Sequence, residues 1–161
     1  KSGKCIRFEE NKTRPMGRNA SGVRGVRLKD QKDEVVGMIS VNDMDSDILV
    51  VSENGYGKRS KLEDYRITNR GGKGVKTISI TEKTGNLVSL KNVSDGDDLM
   101  IINKSGIAIR MEVNTLRVMG RATQGVRLIN IKNNDSIAAV AKVVLDDQEV
   151  TDIEEIDVVE D

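Results

Sequence analysis

Short apolar runs with a two-residue period recur along the chain, and turn residues break them roughly every 8–12 positions. Residues 48–52 are mostly β-branched or aliphatic and end at Glu53-Asn54-Gly55. Asn-Gly is the strongest short hairpin signal, so residues 57–61 are expected as the return strand. A charged loop with several glycines follows over residues 62–73. Residues 74–80 alternate and are rich in β-branched side chains, which predicts a third strand. A turn over 81–86, with Gly85 free to take positive φ, leads to a fourth strand over 87–93. Asp95-Gly96 then turns the chain into residues 99–103, where the cycle restarts.

The cycle is an internal repeat. Ser-Gly-Val-Arg (21–24), Lys-Gly-Val-Lys (73–76) and Gln-Gly-Val-Arg (124–127) are spaced by 52 and then 51 residues. The same offsets align Gly3, Gly55 and Gly106; Arg7, Arg59 and Arg110; Arg14, Arg66 and Arg117; and Arg18, Arg70 and Arg121. Val35-Val36 aligns with Leu87-Val88 and Ala138-Ala139. Four short strands per unit of about 50 residues is the arithmetic of a propeller blade. A blade cannot bury both faces alone, so it stacks on its neighbours. Three blades are too few to close a ring, and residues 1–8 match residues 53–60 with no preceding strand. The expectation is therefore an all-β chain: about three blades of four antiparallel strands over residues 1–145, the C-terminal part of a longer array.

Composition narrows the chemistry. Apolar residues are 37% of the 161, which permits a core, and aromatics are only 2%, which makes it aliphatic. One cysteine (Cys5) and no histidine leave no intrachain disulfide, no multi-cysteine zinc site and no imidazole acid–base chemistry. No apolar run approaches the ~18 residues of a membrane span, so no membrane partner and a cytoplasmic home are expected. Asp95, Asp97 and Asp98 form an acidic cluster, read as a solvated turn rather than a cation site because no full ligand set recurs.

The formal net charge of zero hides an asymmetry. Residues 146–161 hold nine acids and no bases, leaving 26 bases against 17 acids over residues 1–145. A basic body with an acidic tail is a pattern of nucleic-acid-binding proteins; the plain alternative is a solubilising tail. The bases also recur in register. The loop after the hairpin carries Arg14, Arg18 and Arg24 in the first unit, Arg66, Arg70 and Lys76 in the second, and Arg117, Arg121 and Arg127 in the third. Glycines lie between them, and in the second unit Gly71, Gly72, Lys73 and Gly74 form a compact run. Glycine lets backbone amides approach a phosphate, and arginine adds bidentate contacts. Any one of these bases alone reads as solvated charge or as a partner of a nearby acid such as Asp64. Together, in register on successive blades, they read as one basic rim for a polyanion. The scarcity of aromatics argues against single strands held by base stacking. Duplex DNA bent along the rim fits best, gripped by its backbone without base readout.

At these residues the chain resembles a known family. Residues 14–26 (Arg-Pro-Met-Gly-Arg…Gly-Val-Arg-Gly-Val), residues 118–128 (Val-Met-Gly-Arg-Ala-Thr-Gln-Gly-Val-Arg-Leu) and residues 52–59 (Ser-Glu-Asn-Gly-Tyr-Gly-Lys-Arg) resemble the C-terminal domain of the DNA gyrase A subunit. The resemblance covers nearly the whole chain. It implies a bacterial type IIA topoisomerase and a six-bladed β-pinwheel whose blades exchange a strand with their neighbours. It implies a domain that wraps DNA to support ATP-dependent negative supercoiling, with the remainder of the gyrase A subunit and the gyrase B subunit as partners. It places the parent enzyme's ATP, Mg²⁺ and cleavage tyrosine outside this segment, so no cofactor, metal or catalytic residue is expected here. Tyr56 and Tyr65 are read as structural. Residues 71–74 lack the spacing of an ATP-binding P-loop.

The family's box reads Gln-basic-Arg-Gly-Gly-basic-Gly. Residues 70–74 match its last five positions, while Thr68 and Asn69 depart from the first two. The segment reads as a degenerate copy on a later blade. The resemblance also suggests that the acidic tail competes with DNA for the rim. The runner-up is the equivalent domain of topoisomerase IV, which the partial box disfavours. A protein-interaction propeller is the alternative of another class, and the absence of Trp argues against it.

Overall fold

In the computed structural model, residues 1–131 and 135–143 are described. Nine β-strands and three short 3₁₀ turns make up their regular structure, with no α-helix among them. The middle repeat supplies β2 (Asp47–Ser52), β3 (Tyr56–Lys61), β4 (Val75–Lys76) and β5 (Leu87–Val93). The last repeat supplies β6 (Asp98–Asn103), β7 (Ala108–Glu112), β8 (Val126–Arg127) and β9 (Ile137–Val143). The first supplies only β1 (Lys4–Cys5).

Sheet order shows the exchange of strands. The middle sheet runs β5-β2-β3-β8, so its fourth strand comes from the last repeat. In the same way β4 leaves the middle repeat and pairs with β1 of the first. Every strand pair is antiparallel. This is the pinwheel the resemblance implied. Among the described residues only the middle sheet has the four strands expected of a blade; the last has three (β7-β6-β9) and the first has two (β1-β4). Residues 35–41, the counterparts of β5, form no strand. The third strand is also shorter than residues 74–80, because its partner runs alongside for only two residues. Beyond that, Thr77 and Ile78 turn into the interior and are buried.

The hairpin between β2 and β3 forms where Asn-Gly predicts it. Gly55 takes φ +77°, and a Cβ there would lie 2.7 Å from the Ile129 carbonyl oxygen of the next repeat. The position therefore needs glycine both for its left-handed backbone and for a close approach.

All six residues of β2 are buried. Its alternate side chains serve two cores. Ile48 and Val50 join Leu62, Tyr65, Ile78 and Leu87 on the side of the first repeat, with Val36, Ile39 and Val41 packed against them. Leu49 and Val51 join Val93, Leu99, Ile101, Val113, Leu116, Ile129, Ile137 and Val140 on the side of the last. One sheet thus fills two interfaces, which is how a blade hides both faces. Each such aliphatic side chain contributes about 1.5–3 kcal/mol by leaving water. The hairpins also carry a repeated ion pair: Arg110 Nε meets Asp98 at 2.6 Å, and Arg59 meets the counterpart Asp47 at 3.7 Å.

Candidate nucleic-acid interface

The rim loops begin where each hairpin's return strand ends in a 3₁₀ turn: Glu10–Lys12, Leu62–Asp64 and Val113–Thr115. Each later loop is tied by backbone hydrogen bonds to the unit before it, and the ties repeat. Thr68 N donates to the Arg7 carbonyl at 2.9 Å, and Met119 N donates to its counterpart, Arg59, at 2.8 Å. Thr77 N donates to Gly3 at 2.8 Å and Leu128 N to Gly55 at 2.9 Å. Arg27 N donates to Gly72 at 2.8 Å and Ser79 N to Thr123 at 3.1 Å. Gly71 N reaches the Gly25 carbonyl at 2.6 Å. The three loops therefore lie in a row, each against the next.

Arg14, Arg18, Arg24, Arg66, Lys73, Lys76, Arg117 and Arg127 are exposed along this row, while Arg70 and Arg121 are half-buried. None of these bases forms a salt bridge with an acid among the described residues. The Asp64 pairing weighed from sequence takes another form: Arg121 Nε donates to the Asp64 backbone carbonyl at 3.0 Å. The Gly-rich run opens onto a cleft of about 340 Å³ between the first and second units, lined by Arg66, Gly72, Lys73 and Gly74 and floored by Cys5 and Ile6. Gly71 and Gly74 hold φ of +79° and +69°. Burial pushes the Cys5 thiol up.

Lys4 and Lys83 at the rim were not singled out from the sequence, and Tyr56 was read there as structural only. Lys4 sits directly opposite Lys76 across β1 and β4. Like charges so placed repel, and an anion between them relieves the repulsion. Tyr56 sits opposite Arg127 across β3 and β8, and its hydroxyl accepts bonds from Arg127 Nε and Nη2 at 3.2 and 2.9 Å. Lys83 stands 5.4 Å from the centre of the Tyr56 ring. The Arg127 hydrogen bond, with both positive charges, holds the Tyr56 phenol below its ordinary pKa. Only the register of the exchanged strand could have paired these residues. Tyr65 has the structural role expected, buried with its hydroxyl 2.6 Å from Thr77 Oγ1.

The acidic cluster departs from the solvated turn expected of it. Asp97 and Asp98 are buried. Asp97 accepts the Ser94 amide at 2.7 Å and Lys142 Nζ at 3.1 Å, Asp98 pairs with Arg110, and the exposed Asp95 pairs with Arg59. These carboxylates hold the last blade to itself and to the middle one. The predicted tail, residues 146–161, lies outside the described residues.

Fold and rim together define a strand-exchanging β-pinwheel segment with a basic edge. A model of the family "DNA gyrase C-terminal domain, beta-propeller" matches residues 1–42, 46–94 and 97–143, and the chain belongs to that family. It is 48% identical over 158 residues to the DNA gyrase A subunit of Staphylococcus aureus strain MRSA252, covering 97% of this chain and 18% of that one. Against the same protein from strain NCTC 8325 it is 47% identical over 152 residues, covering 93% and 17%. The chain thus spans under a fifth of the length of these relatives. A solved DNA gyrase A C-terminal domain superposes with a TM-score of 0.80 at 28% identity, over 89% of this chain and 48% of that one. The C-terminal domain of a DNA topoisomerase IV gives 0.82 at 22% identity, over 89% and 44%, a likeness of fold alone.

Proposed function

We propose that this chain grips the backbone of duplex DNA along its rim, as part of a domain that wraps DNA for a gyrase. One observation carries the reading: the rim bases lie in a row, yet none is matched by a described carboxylate. Phosphates are the counter-charges such a row fits. Lys73 and the exposed arginines would contact phosphate oxygens without reading bases. Bending the duplex costs a few kcal/mol, offset by contacts on successive blades. On this reading the remainder of the gyrase A subunit, the gyrase B subunit, ATP and Mg²⁺ belong to a parent enzyme that introduces negative supercoils, working at the nucleoid in the bacterial cytoplasm. The acidic tail competes for the same rim.

The test is binding to a linear duplex of about 40 base pairs across a salt series, with a single strand of equal length as control. Log K should fall with log salt by about 0.9 per phosphate contact, with duplex preferred and no sequence preference. Removing residues 146–161 should tighten binding, most at low salt. No duplex binding by either form at low salt would end the proposal.

A further inference from the structure

The bases at the rim do not all play one part. Arg121 Nε donates to the Asp64 carbonyl at 3.0 Å, and its Nη1 donates to the Lys76 carbonyl at 2.8 Å. One repeat earlier, Arg70 Nε donates to the Lys12 carbonyl at 3.0 Å, and its Nη1 donates to the Arg24 carbonyl at 3.3 Å. Lys12 and Asp64 are counterparts, 52 residues apart, and so are Arg24 and Lys76. The same atoms of the same repeat position thus find the same two acceptors at both junctions. Those acceptors stand at the two ends of the preceding unit's rim loop. One guanidinium bridges them and holds the loop closed.

We propose that Arg70 and Arg121 are positioning residues for the DNA rim and not phosphate ligands. The inference rests on the rim reading above. A guanidinium grips phosphate best through two parallel N–H bonds on one edge. In both arginines Nε, a donor of the side-on fork, and Nη1, a donor of the end-on fork, already donate to carbonyl oxygens, and the side chain is half-buried. The residue whose carbonyl is held is itself an exposed base, Arg24 or Lys76. Fixing its backbone limits where its charge can go, so the lock of one blade orders the phosphate contact of the blade before it. Ordering a ligand group before binding raises affinity without adding a contact. Lysine cannot replace this arginine, because an ammonium lacks the rigid planar fork.

Two measurements test this on the 161-residue chain. In the duplex salt series, Arg117→Gln should lower the slope by about 0.9, one phosphate contact. Arg121→Gln should leave the slope unchanged while lowering affinity about fivefold to tenfold at every salt, and Arg121→Lys should not restore it. Without DNA, hydrogen exchange over residues 64–76 should quicken in both Arg121 variants and not in Arg117→Gln, with β2 and β6 as internal reference. Arg70→Lys should do the same over residues 12–24, which guards against a variant at one junction that fails to fold. A slope lowered by about 0.9 in Arg121→Gln, restored by Arg121→Lys, would make Arg121 a phosphate ligand and overturn the proposal. So would unchanged exchange. If the unaltered chain binds no duplex, the rim reading fails, and the exchange experiment still decides whether the loops are locked.

Discussion

Lys58 is where one repeat departs from the other two. Its counterparts are Ile6 and Ile109, yet it is 1% exposed, with Nζ donating to the Gly120 carbonyl of the next rim loop at 2.5 Å. Burial pushes its pKa down to about 8, with Asp64 opposing the fall and Arg121 adding to it. A lysine depressed in the fold takes up fewer protons there than in the unfolded chain between the two pKa values. Stability should therefore rise as pH climbs from about 8 toward 10.5. Lys58→Met should abolish that rise and, at pH 7, stabilise the chain by about 1–2 kcal/mol, the relief of a buried charge less one hydrogen bond. Thermal melts of both chains from pH 7 to 10.5 check it; parallel curves would sink the idea. This lysine also marks a limit of sequence reading. It sits inside a stretch correctly expected as the return strand, and nothing in the alternation says its ammonium is buried. In the same way Arg117 and Arg121 are one residue type in one loop, and only their neighbours in space separate an exposed charge from a lock.

Among the elements, the strands that pair within one repeat were the legible ones. β2, β5 and β6 fall within a residue of the expected spans, because alternation and turn residues act locally. The exchanged strands were not legible from period, since β-branched alternation does not say which hairpin a strand joins; the family resemblance carried that. Their placement rests on a glycine. Gly125 takes φ +82°, and a Cβ there would lie 2.6 Å from the Gly57 carbonyl oxygen, while the counterpart Gly74 packs as tightly on the Cys5 carbonyl. Gly22 has the same backbone, φ +79°, but nothing within 4 Å. Gly22→Ala should therefore cost only the left-handed backbone, about 1–2 kcal/mol. Gly125→Ala should cost at least about 1 kcal/mol more, because alanine there also forces β8 off β3. Denaturant melts of the two variants give the comparison; equal losses would show that β8 does not depend on the close approach.

At the scale of the whole chain, one kind of junction is built twice, and among the described residues half of it has no partner on each outer repeat. Gly22, Val23 and Leu28 of the first repeat are exposed where their counterparts in the later repeats dock. Gly106 in the last repeat holds φ +88° with none of the described residues within 4 Å of a Cβ there, where the counterparts Gly3 and Gly55 each press on the following unit. Among the described residues β7 has β6 on one side only, and Ile107 and Ile109 are exposed. The two open halves are complementary, so a second copy of this chain can supply what each lacks. Residues 22–28 of one copy would pair with β7 of the other, Gly22 against Ala108, the counterpart of Cys5 and Gly57. Arg18 would then reach the carbonyls of Thr115 and Arg127, as Arg70 and Arg121 reach theirs. Contacts of this kind join unlike surfaces, giving a closed ring where the rotation permits and an open filament where it does not. Sedimentation of the 161-residue chain should accordingly show a concentration-dependent dimer. Ile109→Lys, at an exposed edge position, should abolish it and leave the melting of the separate chain nearly unchanged. A chain that stays monomeric at about 100 μM, where a micromolar contact would be saturated, would show that the open halves need more than each other to close.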